Sequence, residues 1–205
     1  MIYKLNGRGY DSNSYLIVDK KVILIDPGTP GTFEFLKKDI LKYTYKIDYI
    51  INTHCHFDHA GSDYLFQDEF NAPVLIHELE LPHLAEDSNV TVSKLFGMDL
   101  VPPKEIFTIK EADSDLKEIG IEIIHTPGHT AGGISIIYKD SLITGDTLFS
   151  YGVGRSDLPT GSLIELRESI NLLEKIAYKK GILKIYPGHG EAGDLSAFSN
   201  AMLFI

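Results

Sequence analysis

Short apolar and alternating runs recur along the chain, each ended by glycine, proline or aspartate. Residues 14–18 and 21–25 read as two strands joined by a turn at Asp19 and Lys20, an early β-hairpin. Asp26-Pro27-Gly28 stops the second strand sharply. Residues 32–43 carry Phe33, Phe35, Leu36, Ile40 and Leu41 at a spacing nearer helix than strand. A buried strand follows at 48–52, then a helix at 61–70 and a strand at 73–76. Residues 81–103, with Pro82, Asp87, Ser88, Asn89, Pro102 and Pro103, read as an irregular excursion over the surface, a lid or substrate-lining loop. Strands resume at 105–109, 121–125, 134–139 and 141–144, with a last one at 183–186. Residues 162–178 form an amphipathic helix with a serine cap and an apolar stripe of Leu163, Leu166, Ile170, Leu173 and Ile176. Strands in both halves, each accompanied by helices, predict central sheets with helices outside.

Composition narrows this picture without changing it. At 205 residues, 43% hydrophobic and 23% charged, the chain has the make-up of an ordinary globular protein, and one domain spanning 1–205 is expected. A net charge of −10 argues against a nucleic-acid partner, which wants a basic face. No apolar run reaches the roughly 18 residues that a membrane span needs. The polar first residues do not resemble a signal peptide, and the single cysteine permits no intrachain disulfide. A cytoplasmic protein is expected.

The candidate chemistry lies in the histidines, of which there are eight. The densest segment is Thr53-His54-Cys55-His56-Phe57-Asp58-His59, directly after a strand. In extended chain, residues two apart point the same way, so His54 and His56 can converge on one metal. Asp58 and His59, where the chain turns into a helix, can face a second point nearby. Imidazoles and a carboxylate suit zinc, iron or manganese. Cys55, between two ligands, should point the other way and pack. Three further turns each follow a strand and present one ligand: Thr126-Pro127-Gly128-His129, Thr144-Gly145-Asp146 and Tyr186-Pro187-Gly188-His189. Glycine and proline bring each turn round tightly.

The ordered set His54, His56, Asp58, His59, His129, Asp146 and His189, with the early Asp26-Pro27-Gly28, resembles the metallo-β-lactamase superfamily. The resemblance runs from about residue 10 to 192 and implies a four-layer αβ/βα sandwich of two mixed sheets with outer helices. It implies that His54, His56 and His129 hold one metal, that Asp58, His59 and His189 hold a second, and that Asp146 bridges them. Two divalent ions about 3.5–4 Å apart, zinc in the first instance, would generate a bridging hydroxide that attacks a carbonyl carbon. Asp58 would also steer the hydroxide proton.

The turn sequences around His129, Asp146 and His189 resemble the glyoxalase II branch, the hydroxyacylglutathione hydrolases. Gly154-Arg155-Ser156-Asp157 resembles a stretch in its short relatives and in the related persulfide dioxygenases. The expected activity is hydrolysis of a small-molecule thioester of hydroxyacylglutathione type, or a related ester, without the C-terminal glutathione-binding helical domain of the full-length enzymes. An iron-dependent persulfide dioxygenase and a lactonase are the alternatives. Arg155 is a candidate for binding a substrate carboxylate, weighed equally against a pairing with Asp157 that fixes the loop. Tyr151 is a second candidate substrate contact, weighed against packing. His77 and His83 are expected in surface or loop roles, and His125 beneath the site, supporting a ligand.

Overall fold

The computed structural model describes residues 1–5 and 7–205. The chain forms two compact units, Met1–Asp115 and Leu116–Ile205. The first holds a six-stranded sheet in sequence order: β1 (Ile2–Leu5), β2 (Ser14–Val18), β3 (Val22–Ile25), β4 (Tyr49–Ile51), β5 (Val74–Ile76) and β6 (Ile106–Thr108). β1, β2 and β3 pair antiparallel, whereas β3 to β6 run parallel, so the sheet is mixed. Parallel neighbours need crossovers, and helices supply them. These are α1 (Phe33–Ile40) between β3 and β4, α2 (Phe57–Ala60) with α3 (Asp63–Phe70) before β5, and α4 (Leu81–Glu86) before β6.

All four residues of β3 are buried, as an unbroken Val-Ile-Leu-Ile run leads one to expect of a strand covered on both faces. Leu16, Leu24, Ile50 and Val74 share a core with Leu36 and Ile40 of α1, Phe66 of α3 and Leu84 of α4.

The division between the units falls inside α5 (Asp113–Glu118). The second unit's sheet has the order β10-β9-β8-β7, from β7 (Ile121–His125), β8 (Ile134–Tyr138), β9 (Ser141–Gly145) and β10 (Lys184–Pro187). β7, β8 and β9 pair antiparallel, while β9 and β10 are parallel and joined through α6 (Leu163–Lys180); α7 (Ser196–Ala201) follows. Ser162 Oγ accepts from Glu165 N at 3.3 Å and Gly181 ends α6 in the left-handed region, φ 67°. Leu166, Ile170, Leu173 and Ala177 of α6 pack with Ile137, Leu142 and Ile185 of the sheet. The molecule is thus mixed α/β, with two mixed sheets and helices.

Three expectations are corrected. Residues 81–103 are not irregular excursion: they form α4 and two 3-10 turns, Asn89–Thr91 and Ser93–Phe96, and place Leu84, Val90 and Leu100 in the core. The organiser is Asp87, at φ 46°, whose carboxylate accepts from Thr91 Oγ1 (2.7 Å), Ser93 Oγ (2.8 Å) and Leu100 N (3.1 Å). Leu163 is half exposed because it is the first residue of α6, and Ala177 completes the buried stripe instead. His125 is exposed, and its Nε2 is bonded to Ala131 O of its own turn at 2.9 Å, so it does not lie beneath a ligand.

Candidate metal centre

The ligand candidates of the first unit sit past the carboxyl ends of its parallel strands, where open α/β sheets place their sites. β3 runs into Asp26, β4 into the segment His54–His59, and β5 into His77 and Glu80. The rings of His54 and His56 meet edge to face, 4.5 Å between centroids, and those of His54 and His59 lie 4.1 Å apart. His54, His56 and His59 are all buried, and Asp58 Oδ2 lies 3.9 Å from His59 Nε2. The convergence expected of residues two apart is therefore present, and α2 carries Asp58 and His59 as the chain turns helical.

One buried carboxylate organises this group. Asp26 Oδ1 accepts from Thr53 N (2.8 Å), and Oδ2 accepts from Thr53 Oγ1 (2.7 Å) and from His59 Nδ1 (2.9 Å). With its proton committed to Asp26, the Thr53 hydroxyl accepts from His54 Nδ1 at 3.1 Å. Both imidazoles thus carry their proton on Nδ1 and keep an Nε2 lone pair for a metal. Asp26 adopts φ 51°, a region that aspartate tolerates better than most residues. Sequence reasoning noticed Asp26 but gave it no role. Its signal was a strand-ending aspartate before Pro27-Gly28.

Ser62 Oγ donates to the carbonyls of Pro27 and Gly28 (2.9 and 2.8 Å), and Cys55 N donates to buried Glu80 at 3.0 Å. Cys55 is buried in the core as expected, and burial pushes its thiol well above the ordinary range, so it stays protonated.

In the second unit β7 is parallel to β9 by way of β8, and β9 is parallel to β10, so the turns bearing His129, Asp146 and His189 leave the same sheet edge. Asp146 Oδ2 lies 3.6 Å from His129 Nε2 and 3.5 Å from His189 Nε2. His129 Nδ1 donates to Arg155 O at 2.6 Å, again leaving Nε2 as the ligand atom. The turn below His129 is pressed onto α6. A Cβ on Gly128 would lie 2.1 Å from Leu166 N, and Ser169 Oγ donates to Pro127 O at 2.7 Å. His189 is partly exposed, its ring edge-on to Phe149 at 6.0 Å.

Arg155 and Asp157 form a bidentate, exposed pair, Nε to Oδ1 at 2.9 Å and Nη2 to Oδ2 at 2.8 Å. The guanidinium holds the Asp157 carboxyl down at about 2. Tyr151 is 84% exposed, so it is not a packing residue. His77 takes the loop role expected, whereas His83 lies within α4 and is half-buried. His77 accepts from Leu79 N at 3.3 Å, and His83 Nδ1 is bonded to Ser88 Oγ at 2.9 Å.

The donor set fits transition-metal ions: imidazoles fixed as Nε2 donors by partners on Nδ1, with carboxylates beside them. A mixed two-sheet α/β chain with such sets on strand-end turns has the construction of a metal-dependent hydrolase. The chain belongs to the metallo-beta-lactamase superfamily, whose model matches residues 7–189. It is 62% identical over 206 residues to a probable metallo-hydrolase of Methanocaldococcus jannaschii, covering 100% of both chains. It is 32% identical to a probable metallo-hydrolase of Streptococcus pyogenes, covering 99% of this chain and 89% of the relative. Among solved structures it resembles TTHA1623 in a di-iron-bound form, with a TM-score of 0.81 at 25% identity, covering 97% of this chain and 98% of that one. No helix among the described residues is long and apolar enough to cross a membrane.

Proposed function

We propose that the protein is a dinuclear metallohydrolase that cleaves a thioester of hydroxyacylglutathione type, or a related small ester, in the cytoplasm. In this reading His54, His56 and His129 hold one divalent ion, Asp58, His59 and His189 hold the other, and Asp146 is shared. The observation that carries it is the Asp146 carboxylate standing 3.6 and 3.5 Å from the Nε2 atoms of His129 and His189, two ligands assigned to different ions. When bound, such ions polarise a carbonyl oxygen and lower the pKa of water to near neutrality. The ligands suit zinc, and iron and manganese accept the same groups; the di-iron form of TTHA1623 supports iron as a candidate.

The chain's own residues supply position and proton handling. Asp26 keeps His54 and His59 in one tautomer and one orientation, and Arg155 O does the same for His129. Asp58 is the carboxylate placed to hold a proton beside His59. Tyr151 and Arg155 would contact the substrate, Tyr151 through its exposed ring and Arg155 by exchanging Asp157 for a substrate carboxylate.

The test is hydrolysis of S-lactoylglutathione by zinc-loaded protein, with His54→Ala as control. Turnover lost in the variant supports the thioesterase reading. Its absence, together with oxygen uptake by the iron-loaded protein on glutathione persulfide, would replace it with a persulfide dioxygenase.

A further inference from the structure

The ligand segment 53–62 leaves the sheet after Asn52 and enters α3 at Asp63, and these two residues meet. Asn52 Nδ2 donates to Asp63 Oδ1 at 3.2 Å, and both side chains are fully buried. Asn52 is tied to the sheet by its own N–H, which donates to Leu75 O at 3.0 Å. The bond therefore closes the neck of the loop that carries His54, His56, Asp58 and His59. Two atoms of the pair remain: Asn52 Oδ1 and Asp63 Oδ2 are both buried, and among the described residues neither has a hydrogen-bond partner. Two buried oxygens that can only accept are costly. A carboxylic acid adds the one donor that the pair lacks, because an acid and a primary amide match each other donor to acceptor on both sides. Among the described residues Asp26, at the end of β3, is a charged group that acts on Asp63, and its sign disfavours a second carboxylate. Burial, opposed by the bond from Asn52 and assisted by Asp26, raises the Asp63 carboxyl well above its ordinary range.

We propose that Asp63 is a neutral carboxylic acid that donates from Oδ2 to Asn52 Oδ1, making a two-bond clamp at the neck of the ligand loop, and that it is a positioning residue for the ligands between. Its positioning role rests on the metal reading above; its protonation and pairing do not.

Infrared spectra of the metal-free protein in D2O at pH 7 test the clamp directly. The parent is expected to show the carbonyl band of a protonated carboxylic acid, absent from Asp63→Asn. Asp11, which burial also raises, is untouched by the substitution and cancels in the difference spectrum. Zn2+ affinity, measured by competition with a chromophoric chelator, tests positioning. Asp63→Asn offers the same donor and acceptor and should bind Zn2+ within about twofold of the parent, whereas Asp63→Leu should lose about tenfold or more. Should the leucine variant fail to fold, the exchanged pair Asn52→Asp with Asp63→Asn replaces it, and parent-like affinity with the acid band restored is expected. A parent spectrum with no Asp63 band would overturn the clamp whether or not Zn2+ binds. Equal Zn2+ losses in Asp63→Asn and Asp63→Leu would overturn the positioning role.

Discussion

His59 Nδ1 donates to Asp26 Oδ2 at 2.9 Å, between two side chains that water does not reach. The same carboxylate holds the Thr53 backbone and hydroxyl, and through that hydroxyl it reaches His54. Asp26→Asn keeps the size and tolerates the positive φ, but it replaces one accepting oxygen with an NH2 that faces donors. The expected cost is about 3 kcal/mol of stability and a loss of about 10–100-fold in Zn2+ affinity. Urea unfolding of the metal-free variant and a Zn2+ titration measure the two separately. Parent-like affinity in Asp26→Asn would remove Asp26 from the metal argument.

That relationship also marks how far the sequence could be read. The ligand candidates stood out because four of them crowd into residues 54–59 and because glycine and proline announce the turns of His129, Asp146 and His189. The strands were legible because buried runs such as Val22–Ile25 and Ile134–Tyr138 have no polar interruption beyond Ser135. What orients these candidates was not legible, because Asp26 acts on residues 27 and 33 positions away and no periodicity encodes that. The strand β1 escaped notice because its burial does not alternate, and α4 with its following turns was hidden by prolines and polar residues. In that segment Asp87 does by side-chain bonding what an apolar stripe does elsewhere.

Gly154 approaches Asp146 and His129 more closely than any side chain allows. A Cβ there would lie 1.9 Å from Asp146 O and 2.9 Å from His129 Nδ1. Gly154→Ala must therefore push apart Asp146 and the segment whose next carbonyl, Arg155 O, orients His129. The expected outcome is a destabilisation of about 1–3 kcal/mol with a disproportionate loss of bound metal. Metal analysis of the folded fraction checks this, and a fully loaded, active variant would show that the backbone shift is absorbed elsewhere.

The Arg155–Asp157 pair separates substrate binding from loop fixation. Both side chains are exposed, so neither Arg155→Ala nor Asp157→Asn should shift the thermal midpoint at pH 7 beyond experimental error. If Arg155 takes a substrate carboxylate, Arg155→Ala raises KM with little change in kcat, and Asp157→Asn, which frees the guanidinium, does not. A lower Tm with unchanged KM in Arg155→Ala would assign the pair to the loop alone. The folded carboxyl of Asp157 is lowered to about 2, so any stabilisation it gives is present above the unfolded value and fades as pH falls toward 2.

Asp87 makes the sharpest acid-dependent prediction. Burial pushes its carboxyl up, but hydrogen bonds from Thr91, Ser93 and Leu100 N, with Lys94 nearby at 3.6 Å, outweigh that and leave it below the ordinary value. A folded pKa below the unfolded one means that the ionised carboxylate stabilises the fold. That contribution is complete above the unfolded pKa, near 4, and disappears as pH falls through the lowered folded value. Asp87→Asn retains an acceptor and tolerates φ 46°, yet it loses the charge that attracts three donors. It should cost about 1–2 kcal/mol at pH 7, and the difference from the parent should shrink steadily on acidification below pH 4. Hydrogen exchange localises the effect: the Leu100 amide, which donates to Asp87 Oδ2 at 3.1 Å, should exchange faster in the variant, with its neighbours in 87–100, while amides of β3 and β4 stay protected. A stability difference that is constant from pH 7 to pH 3 would mean that Asp87 acts through shape and not through charge.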